Sequence, residues 1–104
     1  MRVVRKKPGH AFELLHVDKV HFGAWLNAQV PKEERVVEHV QGLPLDIYYN
    51  TRSPGQTNDD ASVLLVKQSK TGIALMPRGP VVFVGFDQSG ISDKDFEELQ
   101  QRIR

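Results

Sequence analysis

The chain contains no cysteine among its 104 residues. Disulfide bridges, zinc–thiolate sites and thiol nucleophiles are therefore excluded. Methionine and tryptophan are also scarce, with two and one respectively. The four histidines are consequently the side chains to consider first for metal binding or for proton transfer near neutral pH.

Long hydrophobic runs and a strong net charge are also missing. The apolar runs Ala61–Val66 and Pro80–Phe86 are far shorter than the roughly 18 residues of a membrane span. Met1–Arg5 is basic but no apolar segment follows it, so no signal peptide is predicted. A net charge of +1 neither favours nor excludes a polyanionic partner. These features predict an intracellular protein with no membrane partner.

Length and composition predict one folded domain. Hydrophobic residues make up 39% of the chain and charged residues 26%, which is ordinary for a globular protein. A chain of this length supports one modest core and is too short for two. Residues 1–104 are therefore interpreted as a single domain.

Two helices are predicted, each from a start signal. Asp18 can cap the first helix, and Pro31 stops it because the residue before proline is pushed out of the helical region. Ser92 can cap the second helix, where Ile91 and Phe96 form a hydrophobic staple. The buried face of the first helix follows helical spacing: Phe22, Trp25, Leu26 and Val30.

Short strands account for most of the remaining chain, because the apolar and β-branched residues come in short runs between turn signals. The predicted strands are Arg2–Lys6, Ala11–Val17, Glu34–Val40, Leu45–Asn50, Ser62–Gln68, Ile73–Met76 and Pro80–Phe86. Thr51–Asp60 is predicted as a polar loop in which Asn58 is solvated, and Asp87–Gly90 as a tight turn. The predicted fold class is α+β, with a small antiparallel sheet of five to seven short strands and two helices packed on one face.

The spacing of the histidines does not predict a metal site. His16 and His21 are five residues apart across a strand–helix junction, and His10 and His16 are six apart. Metal-binding histidines usually come as closely spaced pairs on one element, with a further ligand nearby. We therefore predict no metal, although a histidine-dependent hydrolase that also uses His39 stays open as a third interpretation.

Catalytic residues are not predicted anywhere else in the chain. The serines all have local roles in turns or caps, and no Gly-x-Ser-x-Gly nucleophile motif occurs. No glycine-rich loop carries the lysine that a phosphate-binding loop needs. The sequence therefore favours a protein that is not an enzyme and has no cofactor, without deciding the point.

A binding role fits the residues around the long polar loop. A loop of this length in a small domain is often functional, and tyrosine and arginine are enriched at interfaces. Trp25, in contrast, lies between two apolar helix positions and is predicted to belong to the core. The predicted binding residues are Tyr48, Tyr49, Arg52, Lys70 and Arg78.

Nucleic acid is the alternative partner. Cations are grouped at the start of the chain and around the turn after residue 67: Arg2, Arg5, Lys6, Lys7, Lys67, Lys70 and Arg78. If the strands that carry these two groups are neighbours, the cations form one basic rim, beside which the tyrosines could stack on bases. The 13 acidic residues that balance the 14 basic ones, and an acidic final helix, are atypical of nucleic-acid-binding domains.

The order of these features resembles a family of small domains of unknown function encoded by phages and mobile elements. The resemblance rests on the Pro8–Gly9 turn after the first strand, the short helix, the Val36–Val40 strand, and the closing segments Gly79–Gly85 and Ile91–Phe96. It departs at Leu75–Arg78, where such relatives often carry an asparagine-rich loop.

This resemblance implies an accessory protein in a bacterial cytoplasm and transfers no catalytic residues. The resulting expectation is a non-enzymatic protein that binds a host protein or a small nucleotide-like ligand, as in inhibition of a host defence. A nucleic-acid-binding regulator is the alternative. Exposed strand edges also leave open a homodimer paired through its sheets.

Overall fold

The structure is a computed structural model that describes residues 1–86 and 89–103. Its elements follow in chain order, with a short 3-10 turn at Lys19–His21 before the first helix. They are β1 (Arg2–Lys6), β2 (Phe12–His16), α1 (Phe22–Gln29), β3 (Arg35–Val40), β4 (Leu45–Asn50), α2 (Asp59–Gln68), β5 (Val81–Gly85) and α3 (Asp93–Ile103).

The five strands of the described residues form one antiparallel sheet in the order β2-β1-β5-β4-β3. Strands β1 and β2 form a hairpin in which Val4 lies opposite Leu14. Strands β3 and β4 form a second hairpin, and β5 enters between the two hairpins. The outer edges of the sheet are therefore β2 on one side and β3 on the other.

The helices cover both faces of this sheet. Successive strand residues point to opposite faces, so neighbours in sequence belong to different cores. Helices α2 and α3 bury Leu65 and Leu99 against Phe83 on one face. Helix α1 buries Leu26 against Val82 on the other face.

The predicted α+β fold class with a small antiparallel sheet of five to seven short strands is confirmed, and the sheet of the described residues has five strands. The predicted placement of the helices needs a correction. The helix that begins at Phe22 and the one that begins at Asp93 lie on opposite faces. The two helices that do share a face are α2 and α3, and α2 was not predicted as a helix.

Residues Ser62–Gln68 are helical, and their prediction as a strand is wrong. Asn58 caps this helix through its side-chain oxygen, which accepts from the Ala61 N–H. Leu64 and Leu65 are buried, whereas the valines on either side of them are exposed, which is the spacing of a helix packed on one side. The predicted strand Ile73–Met76 is also wrong, because this segment is irregular.

Asn58 is buried, which corrects its interpretation as a solvated loop residue. Its amide nitrogen donates to the backbone oxygens of Lys6 at 2.8 Å and of Gly79 at 3.0 Å. Those bonds join the start of α2 to β1 and to the turn before β5. In the predicted turn at 87–90, Asp87 and Gln88 lie outside the described residues.

No helix in the described part of the chain combines the length and the apolar character that a membrane crossing requires.

Candidate functional site

The two tyrosines predicted to bind a partner lie on opposite faces of β4. Tyr49 is fully buried, and its hydroxyl donates to Glu38 Oε1 at 2.6 Å. Tyr48 is half-buried on the other face, where the Arg35 guanidinium carbon lies 5.7 Å from the centre of its ring. The two side chains therefore cannot contribute to one binding surface.

Two of the three predicted cations are held by partners elsewhere in the chain. Arg52 forms an ion pair with Glu34 at 2.8 Å. Arg78 donates to the backbone oxygen of Gly55 at 2.8 Å and so closes the loop before α2. Of the five predicted residues, Lys70 alone lines an open groove beside β3.

This groove, which we call the edge groove, has a volume of about 460 Å³ and lies beside β3. Strand β3, the end of α2 and the irregular segment after α2 provide its walls. Its lining includes Glu38, His39, Gln68, Lys70, Ile73 and Leu75. Because β3 is an outer strand, the groove opens along an edge of the sheet.

The irregular wall, Ile73–Met76, exposes apolar side chains. Ile73 is 78% exposed, Leu75 54% and Met76 52%. Single exposed apolar residues are common, but several in succession beside a groove are typical of an interaction site. We refer to these residues as segment 73–76.

Segment 73–76 is held at both ends. At the start, the Ser69 hydroxyl donates to the backbone oxygen of Ile73 at 2.7 Å. At the end, the Asn58 N–H donates to the backbone oxygen of Pro77 at 2.9 Å. The exposed side chains therefore project from a backbone with defined anchors.

Gln68 joins the end of α2 to the outer edge of β3. Its side-chain nitrogen donates to the backbone oxygen of His39 at 3.1 Å. Its side-chain oxygen accepts from the backbone N–H of Gln41 at 3.2 Å. One amide group thus uses both its donor and its acceptor on the edge of the sheet.

Comparisons with known proteins give this chain no relatives. No family model, curated protein or solved structure matches it. What the site can do therefore has to follow from its own residues.

A second cavity, of about 280 Å³, contains a buried lysine that the sequence analysis had placed on the basic rim. Lys6 is only 2% exposed, and its ammonium group lies 3.0 Å from Asp60 Oδ2 and 3.0 Å from the Lys7 backbone oxygen. The Phe12 ring centre is 5.9 Å away. These contacts join β1 and β2 to α2, so the arrangement is a structural clamp.

The histidines do not come together. His10, His16, His21 and His39 are all exposed. Within residues 1–86 and 89–103, no three histidine, aspartate or glutamate side chains are placed to hold a metal ion. His39 Nδ1 lies 3.1 Å from the Leu45 backbone oxygen, and its ring lies 4.8 Å from the Phe86 ring.

Three of the four cations at the start of the chain form ion pairs with carboxylates. Arg2 pairs with Asp93, and Lys6 pairs with Asp60. Arg5 pairs with Glu13 at 2.8 Å, and this hydrogen bond holds the pKa of the Glu13 carboxyl below its usual value. These three cations are therefore largely neutralised where they stand.

Sequence reasoning missed Gln68 and segment 73–76. The available signal was the group of apolar residues between Gly72 and Pro77, which was interpreted as a short return strand. Apolar residues between a glycine and a proline fit an exposed loop as well as a strand, and periodicity does not separate the two over four residues.

Proposed function

We propose that this chain is a non-enzymatic binding protein that holds a segment of a host protein in the edge groove. The observation that carries this proposal is the row of exposed apolar side chains in segment 73–76, beside an open groove and an outer strand. Burying such side chains against a partner is a main source of binding free energy. The groove offers no paired nucleophile and base in the described residues, so binding is the activity that its residues support.

A protein partner fits the groove better than a small nucleotide-like ligand. Among the described residues that line the groove there is no phenylalanine, tyrosine or tryptophan, and Lys70 is the one lysine or arginine. Nucleotide sites commonly combine a stacking ring with several phosphate-binding groups. Ile73 and Leu75 instead offer apolar contacts to other side chains. The small ligand is therefore the second choice for this site.

The biological setting that we propose comes from the resemblance of the sequence to phage and mobile-element proteins. In that setting the chain is an accessory protein in a bacterial cytoplasm, and occupying a partner's surface inhibits a host defence. Inhibition of this kind needs only a complementary surface and no catalytic group.

A nucleic-acid-binding regulator is less well supported by the described residues. Arg2, Arg5 and Lys6 are paired with carboxylates, so binding a phosphate backbone would require those pairs to be broken. A filter-binding titration against duplex and single-stranded DNA tests this alternative. Affinity that falls steeply as salt rises would support nucleic acid, and binding that is absent at low salt would dismiss it.

Site-specific crosslinking in a bacterial host tests the protein-binding proposal. The photoreactive residue p-benzoylphenylalanine replaces Ile73 in one variant and Val20 in the control. Val20 is a matched site because it is 86% exposed and does not line the groove. We expect a discrete protein adduct from position 73 and none from position 20.

A second variant links the adduct to the groove. Leu75→Asp should reduce the crosslink from position 73 by about tenfold, the effect of losing one well-packed apolar contact. Val20→Asp should leave it unchanged. Equal adducts from positions 73 and 20, or none from position 73, would contradict the proposal.

A further inference from the structure

We infer that the partner segment binds as an added strand along the outer edge of β3, replacing the side chain of Gln68. This inference rests on the proposed function and specifies how the edge groove is used. The amide of Gln68 already occupies one position along that edge, beside the end of β3.

The direction of the backbone groups on β3 follows from the contacts of Gln68. In an antiparallel pair, the N–H and C=O of one residue point to the same side, and alternate residues point to opposite sides. The His39 oxygen and the Gln41 N–H both meet Gln68, so they point away from β4. By the same alternation, the N–H and C=O of Val37 and the N–H of His39 also face outward. No strand of the described chain pairs with this edge.

The bonding pattern of Gln68 shows that this edge accepts an amide group from outside the sheet. Its side chain donates to the His39 oxygen and accepts from the Gln41 N–H, as backbone groups of an added strand would. These outward groups can pair with a parallel or an antiparallel strand. A segment that replaces Gln68 can therefore use the same two groups in either direction.

The walls of the groove define the side chains of that segment. Residues of an added strand alternate in direction, so every second side chain would enter the edge groove and meet Ile73 and Leu75. The residues between would lie on the opposite face beside Val37, which is 50% exposed. Lys70 forms no ion pair with a described residue, so it is available to an acidic side chain of the segment. The expected partner is an extended segment with alternating apolar residues and an adjacent acidic residue.

A library of random 12-residue peptides, displayed and selected on the wild-type protein, supplies the probe. Peptides whose binding is lost in Ile73→Ser are kept for study. Hydrogen exchange of the backbone amides is then measured by NMR with and without peptide. We expect exchange at Val37 and His39 to slow by at least about tenfold, as for amides newly bonded in a ladder, with no change in β2, the opposite edge strand.

Substitution of Gln68 gives a second test, in which peptide affinity is measured. Gln68→Ala should tighten peptide binding by about fivefold, because the peptide no longer has to displace a hydrogen-bonded amide. The control Gln101→Ala removes an exposed glutamine of α3 and should change nothing. Val37→Pro should abolish peptide binding, since it removes an outward N–H while the ladder to β4 stays complete. Urea unfolding of this variant checks that the fold persists.

The possible outcomes distinguish strand addition along β3 from the proposal that a protein segment binds in the edge groove. An Ile73-dependent peptide that leaves exchange at Val37 and His39 unchanged would overturn strand addition and leave the protein-binding groove in place. A library without any Ile73-dependent peptide would overturn both. A spin label on the peptide's first residue should broaden signals at one end of β3, near Arg35 for a parallel segment or near Val40 for an antiparallel one. Broadening at neither end would overturn strand addition. Protection that rises with protein concentration without peptide would indicate a sheet-edge homodimer in place of the inferred partner.

Discussion

The hydroxyl of Tyr49 donates a hydrogen bond of 2.6 Å to the Glu38 carboxylate across the β3–β4 hairpin. The Tyr49 ring is fully buried, and Glu38 is on the wall of the edge groove. Burial and the neighbouring carboxylate both disfavour the phenolate, so they raise the pKa of Tyr49 well above its usual value near 10. The Tyr49–Glu38 pair therefore joins β4 to β3, the strand whose outer edge is proposed to bind the partner segment.

Replacing Tyr49 by phenylalanine should change stability in a pH-dependent way. At neutral pH, loss of a hydrogen bond to a carboxylate should cost about 1–3 kcal/mol. Because the folded-state pKa is raised, the stability due to the neutral phenol is complete below pH 10, the usual tyrosine pKa, and is lost as pH rises above it. The wild type should therefore lose stability above pH 10 by up to about 1.4 kcal/mol per pH unit more than the variant.

Urea unfolding at pH 7 and pH 11 measures both effects. Tyr48→Phe is the matched control, because the Tyr48 hydroxyl makes no hydrogen bond within the described residues and its ring is half-buried. The same alkaline loss in wild type and Tyr49→Phe would show that Tyr49 titrates normally.

Lys6 and Asp60 should respond unequally to substitution. Asp60→Ala leaves a buried ammonium group without its carboxylate, and we expect a loss of about 2–4 kcal/mol, toward the lower end because Asp60 is half-exposed. Lys6→Met keeps the apolar stem against Phe12. It leaves only the Asp60 carboxylate without a partner, and water can reach that group, so the loss of stability should be about 1 kcal/mol.

The double variant Lys6→Met/Asp60→Ala completes a thermodynamic cycle for this pair. It should be more stable than Asp60→Ala alone, because the uncompensated charge has been removed. A double variant as unstable as the sum of the two single losses would mean that the two groups do not interact.

Asn58→Asp should be strongly destabilising although it changes a single atom. The Asn58 nitrogen donates to the backbone oxygens of Lys6 and Gly79 inside the core. A carboxylate there would face two oxygens with no proton to share, so we expect a loss of at least about 3 kcal/mol. Asn27→Asp, at an exposed position of α1 beside Arg35, is the control and should be nearly neutral. Thermal unfolding of both variants at pH 7 compares them.

Prediction from sequence succeeded where local signals determine the structure. The final helix was predicted from Ser92 as its capping residue, and Ser92 does accept from the Asp95 N–H at the start of this helix. The prediction for α2 was wrong because Val63–Val66 is a continuous apolar run, which fits a buried strand as well as a helix. Asn58 followed by two acidic residues was the signal for a helix start, but it was interpreted as loop.

The candidate site depends on contacts that are distant in sequence. Gln68 bonds to His39 across 29 residues, and nothing local marks either residue as a partner of the other. The face that α1 covers likewise depends on the strand order, which periodicity does not reveal. Tyr48 and Tyr49 were predicted together from composition, yet neighbours on a strand point to opposite faces.

Two glycines should respond to alanine in opposite directions. A Cβ at Gly85, at the end of β5, would overlap the backbone oxygen of Ser89, and a backbone atom cannot turn aside as a flexible side chain can. Gly85→Ala should therefore cost about 2 kcal/mol or more through displacement of the segment that leads to α3. A Cβ at Gly23 in α1 meets no atom within 4 Å, so Gly23→Ala should stabilise the protein by about 0.5–1 kcal/mol through helix propensity. Urea unfolding of both variants decides the matter, and a Gly85→Ala protein as stable as the wild type would show that the Ser89 carbonyl does not approach β5 this closely.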